Sequence, residues 1–442
     1  MALMAELAPP MRLPAYQDDR VLVYLGDARE VMAELATESV DCVITSPPYW
    51  GLRDFGVAPT VWGGSADCSH HWSPLERGRR KDLLPSDLTT RAARVGITDR
   101  QDAAATNGGR FCLRCQAWLG SLGLEPSPQL FVIHLVELFR GVRRLLKPTG
   151  VAWLNLGDTF YHAGKVRGAI TEEGLKPKDL IGVPWRVALA LQADGWFLRS
   201  DVVWHKPNPV PEPAIDRPVR AHEFLFLLSK QAHYFYDAEA VREPAVSPPS
   251  NAAWPMPAIH SGKYERLQDP KVRSAANYAR RRAPQSRDRA QRSVWTIPTE
   301  PFRGSHTATF PTRLVEPCIL AGTSAAGCCS LCGRPFERVL EITYEPLSSR
   351  RESRKAPGVF EMEMRQLRVA RTTGWRPTCA CGASATPAVV LDPFAGTGTA
   401  LAVARRLGRV AVGIELNRAY LELIKRRLLQ QIQPRATREE AA

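Results

Sequence analysis

Residues 389–399 constrain the fold more than any other stretch. An unbroken apolar run, Val389-Val390-Leu391, enters Asp392-Pro393-Phe394-Ala395-Gly396-Thr397-Gly398-Thr399, after which helical spacing resumes. A short apolar run bounded by turn residues reads as a strand buried on both faces, and a strand that turns on glycine directly into a helix is the crossover unit of a parallel α/β sheet. Open sheets of that kind bind ligands beyond the carboxyl ends of their strands. Gly396 and Gly398 permit a backbone approach that a Cβ would block. A further apolar run, 410–414, leads into Glu415, where an acidic side chain accepts hydrogen bonds from both hydroxyls of a ribose. Leu401 stands where a dinucleotide loop would place its third glycine, which favours a nucleoside ligand without a pyrophosphate; S-adenosylmethionine has that character.

A second strand-and-loop unit lies near the other end of the sequence. Residues 21–25 and 40–44 read as strands, with helical character at 28–35 between them, and the second strand runs into Thr45-Ser46-Pro47-Pro48-Tyr49. Two consecutive prolines stiffen the backbone and have no N–H to donate, which leaves the Ser46 hydroxyl and the Pro47 carbonyl as aimed acceptors. Together they suit an –NH2 group, and Tyr49 offers a flat face for a ring. In isolation Pro-Pro-Tyr is a stiff turn with a core tyrosine. Following a strand, in a chain that also carries a nucleoside loop, it reads as an acceptor loop.

Between these units, helical spacing at 130–146 is stopped by Lys147-Pro148-Thr149-Gly150, and 151–156 reads as a buried strand. A helix at 183–191 and strands at 197–204 and 223–229 follow, then a helix at 399–407 and another at 418–429 close the pattern. Residues 51–128 have little periodicity and are too long for a simple connection. Residues 241–293 lose the pattern as well and carry a basic run from 263 to 292, either a solvated segment or a DNA-contacting one. The net charge of +14 favours a polyanionic partner, because lysine and arginine displace counterions from phosphates. With 44% hydrophobic residues, no apolar run of membrane-spanning length and no secretion-type leader, the chain is expected to be a cytoplasmic protein without membrane attachment.

Ten cysteines in such a chain point to metal ligands or buried thiols rather than disulfides. Cys68 and His70 with Cys112 and Cys115 make one candidate set, and Cys329 and Cys332 with Cys379 and Cys381 make another. Pairs spaced two or three residues apart suit tetrahedral structural zinc. His71 is an alternative to His70, and Cys328 to Cys329. Neither set leaves the open position that a catalytic zinc needs.

These motifs resemble the amino-methyltransferases that modify DNA, and specifically their beta group, in which the catalytic segment precedes the cofactor segment. The resemblance covers most of the chain. It implies a Rossmann-like α/β sheet of the S-adenosylmethionine-dependent type, with circularly permuted motif order and, here, zinc-stabilised insertions. Thr45 to Tyr49 matches the catalytic motif, with Ser46, Pro47, Pro48 and Tyr49 as catalytic residues and Thr45 beside the cofactor. Gly26-Asp27-Ala28 is similar to the acidic element that contacts the cofactor adenine. His306 to Pro311 is similar to the element cradling the methionine moiety, with His306, Phe310 and Pro311 as candidates. The 392–399 loop, with Asp392, Phe394, Gly396, Gly398 and Thr399, matches the cofactor loop, and Glu415 the ribose carboxylate. Residues 201–208 and 220–224 resemble later motifs, the latter with His222-Glu223 leading into the strand behind the target-base pocket.

The implied organisation is a catalytic half at 15–50 and 129–240, an insertion with a zinc site at 51–128, a target-recognition segment at 241–300, a cofactor-cradling element at 301–327, a second zinc-binding insertion at 328–386 and a cofactor-binding half at 387–432. The implied partners are S-adenosylmethionine, double-stranded DNA with a flipped base, and, for a prokaryotic or phage-encoded modification enzyme, a cognate restriction endonuclease; members of the group also form homodimers. Ser46 resembles the N4-cytosine enzymes more than the N6-adenine enzymes, which more often begin the motif with Asp. Cytosine-C5 chemistry needs a thiolate nucleophile, and Cys42 reads as a core thiol. Methylation of RNA or of a protein amide usually has the cofactor loop first. A non-catalytic, zinc-stabilised DNA-binding protein would have no need of the intact acceptor loop, cofactor glycines and Glu415.

Overall fold

The computed structural model describes residues 12–74, 109–161, 174–244, 285–286, 288–300, 310–352 and 360–432. The expected candidate His306, and most of the basic 263–292 run, lie outside these residues.

Nine strands form the main sheet of the described residues: β1 (Tyr16–Gln17), β2 (Val21–Leu25), β3 (Val40–Thr45), β4 (Leu146–Leu156), β5 (Phe197–His205), β6 (His222–Ser229), β7 (Val294–Thr296), β8 (Val389–Asp392) and β9 (Val410–Glu415). Their order across the sheet is β1-β2-β9-β8-β3-β4-β6-β5-β7. The five strands from β2 to β4 are parallel, β6 runs against both its neighbours, and β7 is parallel to β5. The sheet is therefore mixed. Every residue of β3, β8 and β9 is buried, as expected for central strands covered on both faces.

Six helices provide that cover: α1 (Ala28–Glu34), α2 (Pro128–Leu145), α3 (Val183–Ala193), α4 (Thr312–Gly322), α5 (Thr399–Arg406) and α6 (Arg418–Ile432). Alternate strand residues point to opposite faces. Val43, Ala152 and Leu391 share one core with Val31, Leu135 and Val187 of α1, α2 and α3. On the other face α4 lies so close that a Cβ on Gly322 would meet Val151 and Cys42, and Leu401 of α5 fills the space beside Gly413. The Ser127 hydroxyl caps α2 by accepting from Leu130 N at 3.2 Å.

Because β8 pairs with β3 through Val390–Cys42 and Leu391–Val43, the two loops that most constrain the sequence reading leave neighbouring strands at the same sheet edge. Two elements depart from the expected pattern. The strand expected from 151 begins at Leu146: Val40 pairs with Leu146 but Cys42 pairs with Val151, so 147–150 bulge out of register. Lys147 is held there by both carboxylate oxygens of Asp41 at 2.9 Å. Helix α4 has no counterpart in the sequence reading, since Pro317 interrupts its pattern.

The described residues divide into two compact units, one of 237–291 with 337–376 and one of the remainder. In the smaller unit the long strands Phe336–Glu352 and Phe360–Pro377 share a three-stranded sheet with Gln285–Ser286. Arg338 pairs with Asp237 at 2.7 Å and Arg368 with Glu239 at 3.0 Å. No described helix is long and apolar enough to cross a membrane.

Candidate active site

In the larger unit a cavity of about 850 Å³ opens at the carboxyl ends of β3, β8 and β9. Ser46, Pro47, Pro48 and Tyr49 line one side; Phe394, Gly396, Thr399 and Glu415 line another, with Asp27 and Phe310 also in the wall. Thr45, Asp392, Gly398 and Pro311 stand behind it. Thr45 Oγ1 donates to Asp392 Oδ1 at 2.8 Å, which ties the end of β3 to the end of β8. Asp392 Oδ1 also accepts from Phe394 N at 3.0 Å, and so shapes the loop from within. Gly398 has φ +75°, and a Cβ there would be 3.2 Å from the Ile424 side chain, so a larger residue would be both strained and crowded. Pro311 provides the N-cap position of α4.

The acidic groups are set by burial. Glu415 Oε2 accepts from Gly396 N at 2.8 Å and Oε1 from Asn417 N at 2.7 Å. Loss of water nevertheless raises its pKa from 4.5 to about 7, and burial likewise raises Asp392 to about 7. Since the folded chain holds the Glu415 proton to higher pH than the unfolded chain, the stability of the ligand-free protein should fall as pH rises from 4.5 to about 7. Asp27 is held below the usual carboxylate range: burial acts upward, but the hydrogen bonds and charge of Arg29 outweigh it.

The acceptor loop is part of a polar cluster that the sequence reading only half foresaw. Ser46 Oγ donates to Tyr49 Oη at 3.1 Å, and Tyr49 Oη donates to Glu223 Oε2 at 2.8 Å. Asn155 Nδ2 donates to Tyr49 Oη at 2.6 Å and to Glu223 Oε2 at 2.9 Å. Lys206 pairs with the other oxygen of Glu223. Burial and the Glu223 charge push the Tyr49 hydroxyl well above its ordinary pKa, so it remains protonated. Asn155 was not singled out from sequence; the available signal was an amide inside the apolar run of β4. Its Oδ1 is buried without a partner among the described residues, as is Thr397 Oγ1 in the cofactor loop. Both residues line the cavity.

Gly157 lies against the Tyr49 ring, where a Cβ would be 2.5 Å from Cε2. Gly157→Ala must displace that ring, and is expected to lower the turnover rate about tenfold or more while leaving cofactor affinity unchanged. Steady-state kinetics beside calorimetric titration checks this; an unaffected turnover rate would mean that the ring position does not matter.

Both cysteine sets assemble. The ligand atoms of Cys68, His70, Cys112 and Cys115, and those of Cys329, Cys332, Cys379 and Cys381, lie within 4.8 Å of one another in each group. The Cys68–Cys112 Sγ separation is 3.8 Å, which is the edge of a tetrahedron about 2.3 Å from centre to sulfur. Each Cys-x-x-Cys turn has the same form: the first carbonyl accepts from Gln116 N at 3.0 Å or Gly333 N at 2.9 Å, residues with φ of +61° and +68°. His70 rather than His71 enters the first group. Cys328 is occupied elsewhere, donating to Asp41 Oδ1 at 3.2 Å, which leaves Cys329 for the second.

Comparison with known proteins shows a family. The DNA methylase family, of the N6/N4 amino-methyltransferase type, matches residues 40–328 and 383–426. The chain is 32% identical over 422 residues to the Type II methyltransferase M.SmaI of Serratia marcescens, covering 92% of this chain and 90% of that protein. It is 32% identical over 420 residues to M.Cfr9I of Citrobacter freundii, covering 92% and 87% respectively. Among solved structures, the PvuII DNA methyltransferase (cytosine-N4-specific) aligns with a TM-score of 0.46 at 15% identity, covering 97% of this chain and 92% of that one. With three quarters of its length matched by the family and two relatives above 30% identity across nearly all of it, the chain belongs to the N4/N6 amino-methyltransferases of DNA.

Proposed function

We propose that this enzyme transfers a methyl group from S-adenosylmethionine to the exocyclic amino group of a base in double-stranded DNA, with N4 of cytosine as the preferred acceptor. The observation that carries the reading is that Ser46 and Glu415 line one cavity, with the Thr45–Asp392 hydrogen bond tying the end of β3 to β8, the strand that lies between β3 and β9. When bound, S-adenosylmethionine supplies an electrophilic methyl group on a sulfonium. Glu415, Gly396, Thr397 and Asp27 are the residues to hold its nucleoside, with Phe394 in the apolar wall around it, and Phe310 is the residue for its methionine moiety. Ser46 Oγ and the Pro47 carbonyl accept the two amino hydrogens, which leaves the nitrogen lone pair for attack, and Asn155 Oδ1 is a further acceptor at the same end. The Tyr49 ring gives the base a face to stack on. A base inside a duplex cannot reach this cavity, so the reading requires the base to be flipped out.

The preference for cytosine rests on Ser46 at the head of the acceptor loop; N6 of adenine is the second reading, because the same acceptors suit it. Mass spectrometry of nucleosides from the DNA of expressing cells tests both. N4-methylcytosine is the expected product, N6-methyladenine would favour the second reading, and the absence of both would refute the activity.

Three further features belong to this reading. The acceptor strand β3 precedes the cofactor strand β8 in the chain, which we read as the circularly permuted arrangement. The two cysteine groups are read as structural zinc sites, supported by their donor sets and the matching turns. The segment 241–300 is read as the target-recognition region, supported by its basic run, and the Type II relatives suggest a cognate endonuclease.

If the ribose is bound by an ionised Glu415, cofactor affinity must depend on pH. Its pKa of about 7 in the free site means that lowering pH from 8 to 6 should weaken binding about tenfold. Calorimetry at the two pH values checks this, with Glu415→Gln expected to flatten the dependence.

A further inference from the structure

The first cysteine group sits on an insertion, and that insertion is wired to the acceptor loop through buried contacts. Trp62 lies on one side of Cys68 in sequence, on the strand Thr60–Trp62; Trp118 follows Cys115, on the strand Trp118–Gly120, and the two tryptophans are cross-strand partners. With Arg110–Phe111 these make a three-stranded sheet. A sheet of that size has little core of its own and needs an external tie.

Both tryptophans stack on His134 of α2, with ring centroids 4.8 Å and 5.4 Å away. His134 Nδ1 meets Glu125 Oε1 at 3.0 Å, and both side chains are almost fully buried. Glu125 then reaches the acceptor loop twice. Its Oε2 accepts from Gly123 N at 2.8 Å, and the Gly123 carbonyl accepts from Gly51 N at 2.8 Å. Its backbone carbonyl accepts from Trp50 Nε1 at 2.9 Å. Trp50 and Gly51 directly follow Tyr49. Gly123, at φ +91°, lies flush against the loop: a Cβ there would be 3.1 Å from Pro48 Cβ and 3.2 Å from the Tyr49 carbonyl. A second branch runs from Trp62 to the cofactor side, because the Arg29 guanidinium sits 3.6 Å over its ring and binds Asp27 at 2.8 Å.

We propose that zinc at Cys68, His70, Cys112 and Cys115 holds the Ser46–Tyr49 loop in its working conformation, acting through Trp62, Trp118, His134 and the positioning residue Glu125. This rests on the reading of the four residues as a zinc site. The metal closes the insertion so that the tryptophans press on His134. His134 orients the Glu125 carboxylate, and Glu125 fixes the 123–125 turn against which the acceptor loop rests. Without the tie, the insertion opens, His134 loses the two rings that fix its orientation toward the buried Glu125, and the turn gives way.

The test uses the full-length protein, with zinc per chain measured by plasma mass spectrometry, S-adenosylmethionine affinity by calorimetry, and single-turnover methylation of unmodified bacteriophage DNA with labelled cofactor. Replacing Cys112 and Cys115 by Ser together should remove one of two zinc ions and lower the single-turnover rate roughly 10–100-fold, with a smaller loss of cofactor affinity. Cys329→Ser should cost zinc without that loss of rate. Glu125→Gln should keep both zinc ions, the melting temperature within a few degrees and the cofactor affinity, yet lower the single-turnover rate about tenfold or more. This separates positioning from folding even if the cysteine variant proves unstable. Wild-type protein free of zinc would refute the metal reading and this proposal with it. Two zinc ions in the wild type, with an undiminished rate in the zinc-depleted variant or in Glu125→Gln, would overturn the proposal while leaving the metal reading intact.

Discussion

Ser46→Ala is expected to lower the single-turnover rate of methyl transfer about 10²- to 10³-fold while cofactor affinity stays as it was. The hydroxyl is one of the rigid acceptors at the end of β3, where it lines the cavity 3.1 Å from Tyr49 Oη. An amino group under methylation gains positive charge, so an acceptor on its hydrogens counts for more in the transition state than in the ground state, and its loss falls on the rate. The residues that we assign to the cofactor are untouched by the change, because Glu415, Gly396 and Thr397 belong to the β8 and β9 ends of the sheet. Ser46→Asn, which puts a carbonyl acceptor in place, should recover part of the rate. Rapid-quench kinetics beside calorimetry would decide the matter: a wild-type rate removes Ser46 from the chemistry, and a lost cofactor site means the loop has been misassigned.

The second large effect belongs to Glu415. Removing its carboxylate in Glu415→Ala strips the partner from two backbone N–H groups, Gly396 and Asn417, as well as from any ribose hydroxyl. Each hydrogen bond to a charged acceptor contributes about 1.5–3 kcal/mol, so losing those to the two ribose hydroxyls should weaken S-adenosylmethionine binding about 100-fold or more. Turnover at saturating cofactor should change little, since the acceptor loop lies on β3. Glu415→Gln retains one acceptor and should fall between. A variant that binds normally but turns over slowly would place Glu415 on the chemical side of the site instead.

The parts of this site that could be read from sequence share a physical cause. Strands β3, β8 and β9 are buried on both faces, so burial writes itself into the chain as unbroken apolar runs, and the loops that follow stand out by contrast. Proline pairs and glycines are equally visible because they restrict or release the backbone locally. Asn155 and Glu223 were harder, since their roles depend on contacts between β4 and β6 that no local pattern encodes. Which histidine and which cysteine join each cluster was also undetermined by spacing; the fold decides it by giving Cys328 to Asp41 and leaving Cys329 to its neighbours. The strands Phe336–Glu352 and Phe360–Pro377 do leave a trace, the apolar–polar alternation of 340–345 and 360–365, but it is short against their length and was not read as strand. Helix α4 was hidden by Pro317.

The sheet order has a consequence for how the molecule is made. β8 and β9 sit between β2 and β3, yet they are the last strands of the sheet to be synthesised. Until they leave the ribosome, β2 and β3 each present an unpaired edge toward a gap in the middle of the sheet, and that gap can close only by contacts spanning most of the chain. Such closure is slow and leaves edges open to mispairing meanwhile. It also means that a chain ending before β8 and β9 lacks one side of the cavity. Modification activity therefore begins late in the life of each molecule, once the strands from the far end of the sequence have closed the sheet.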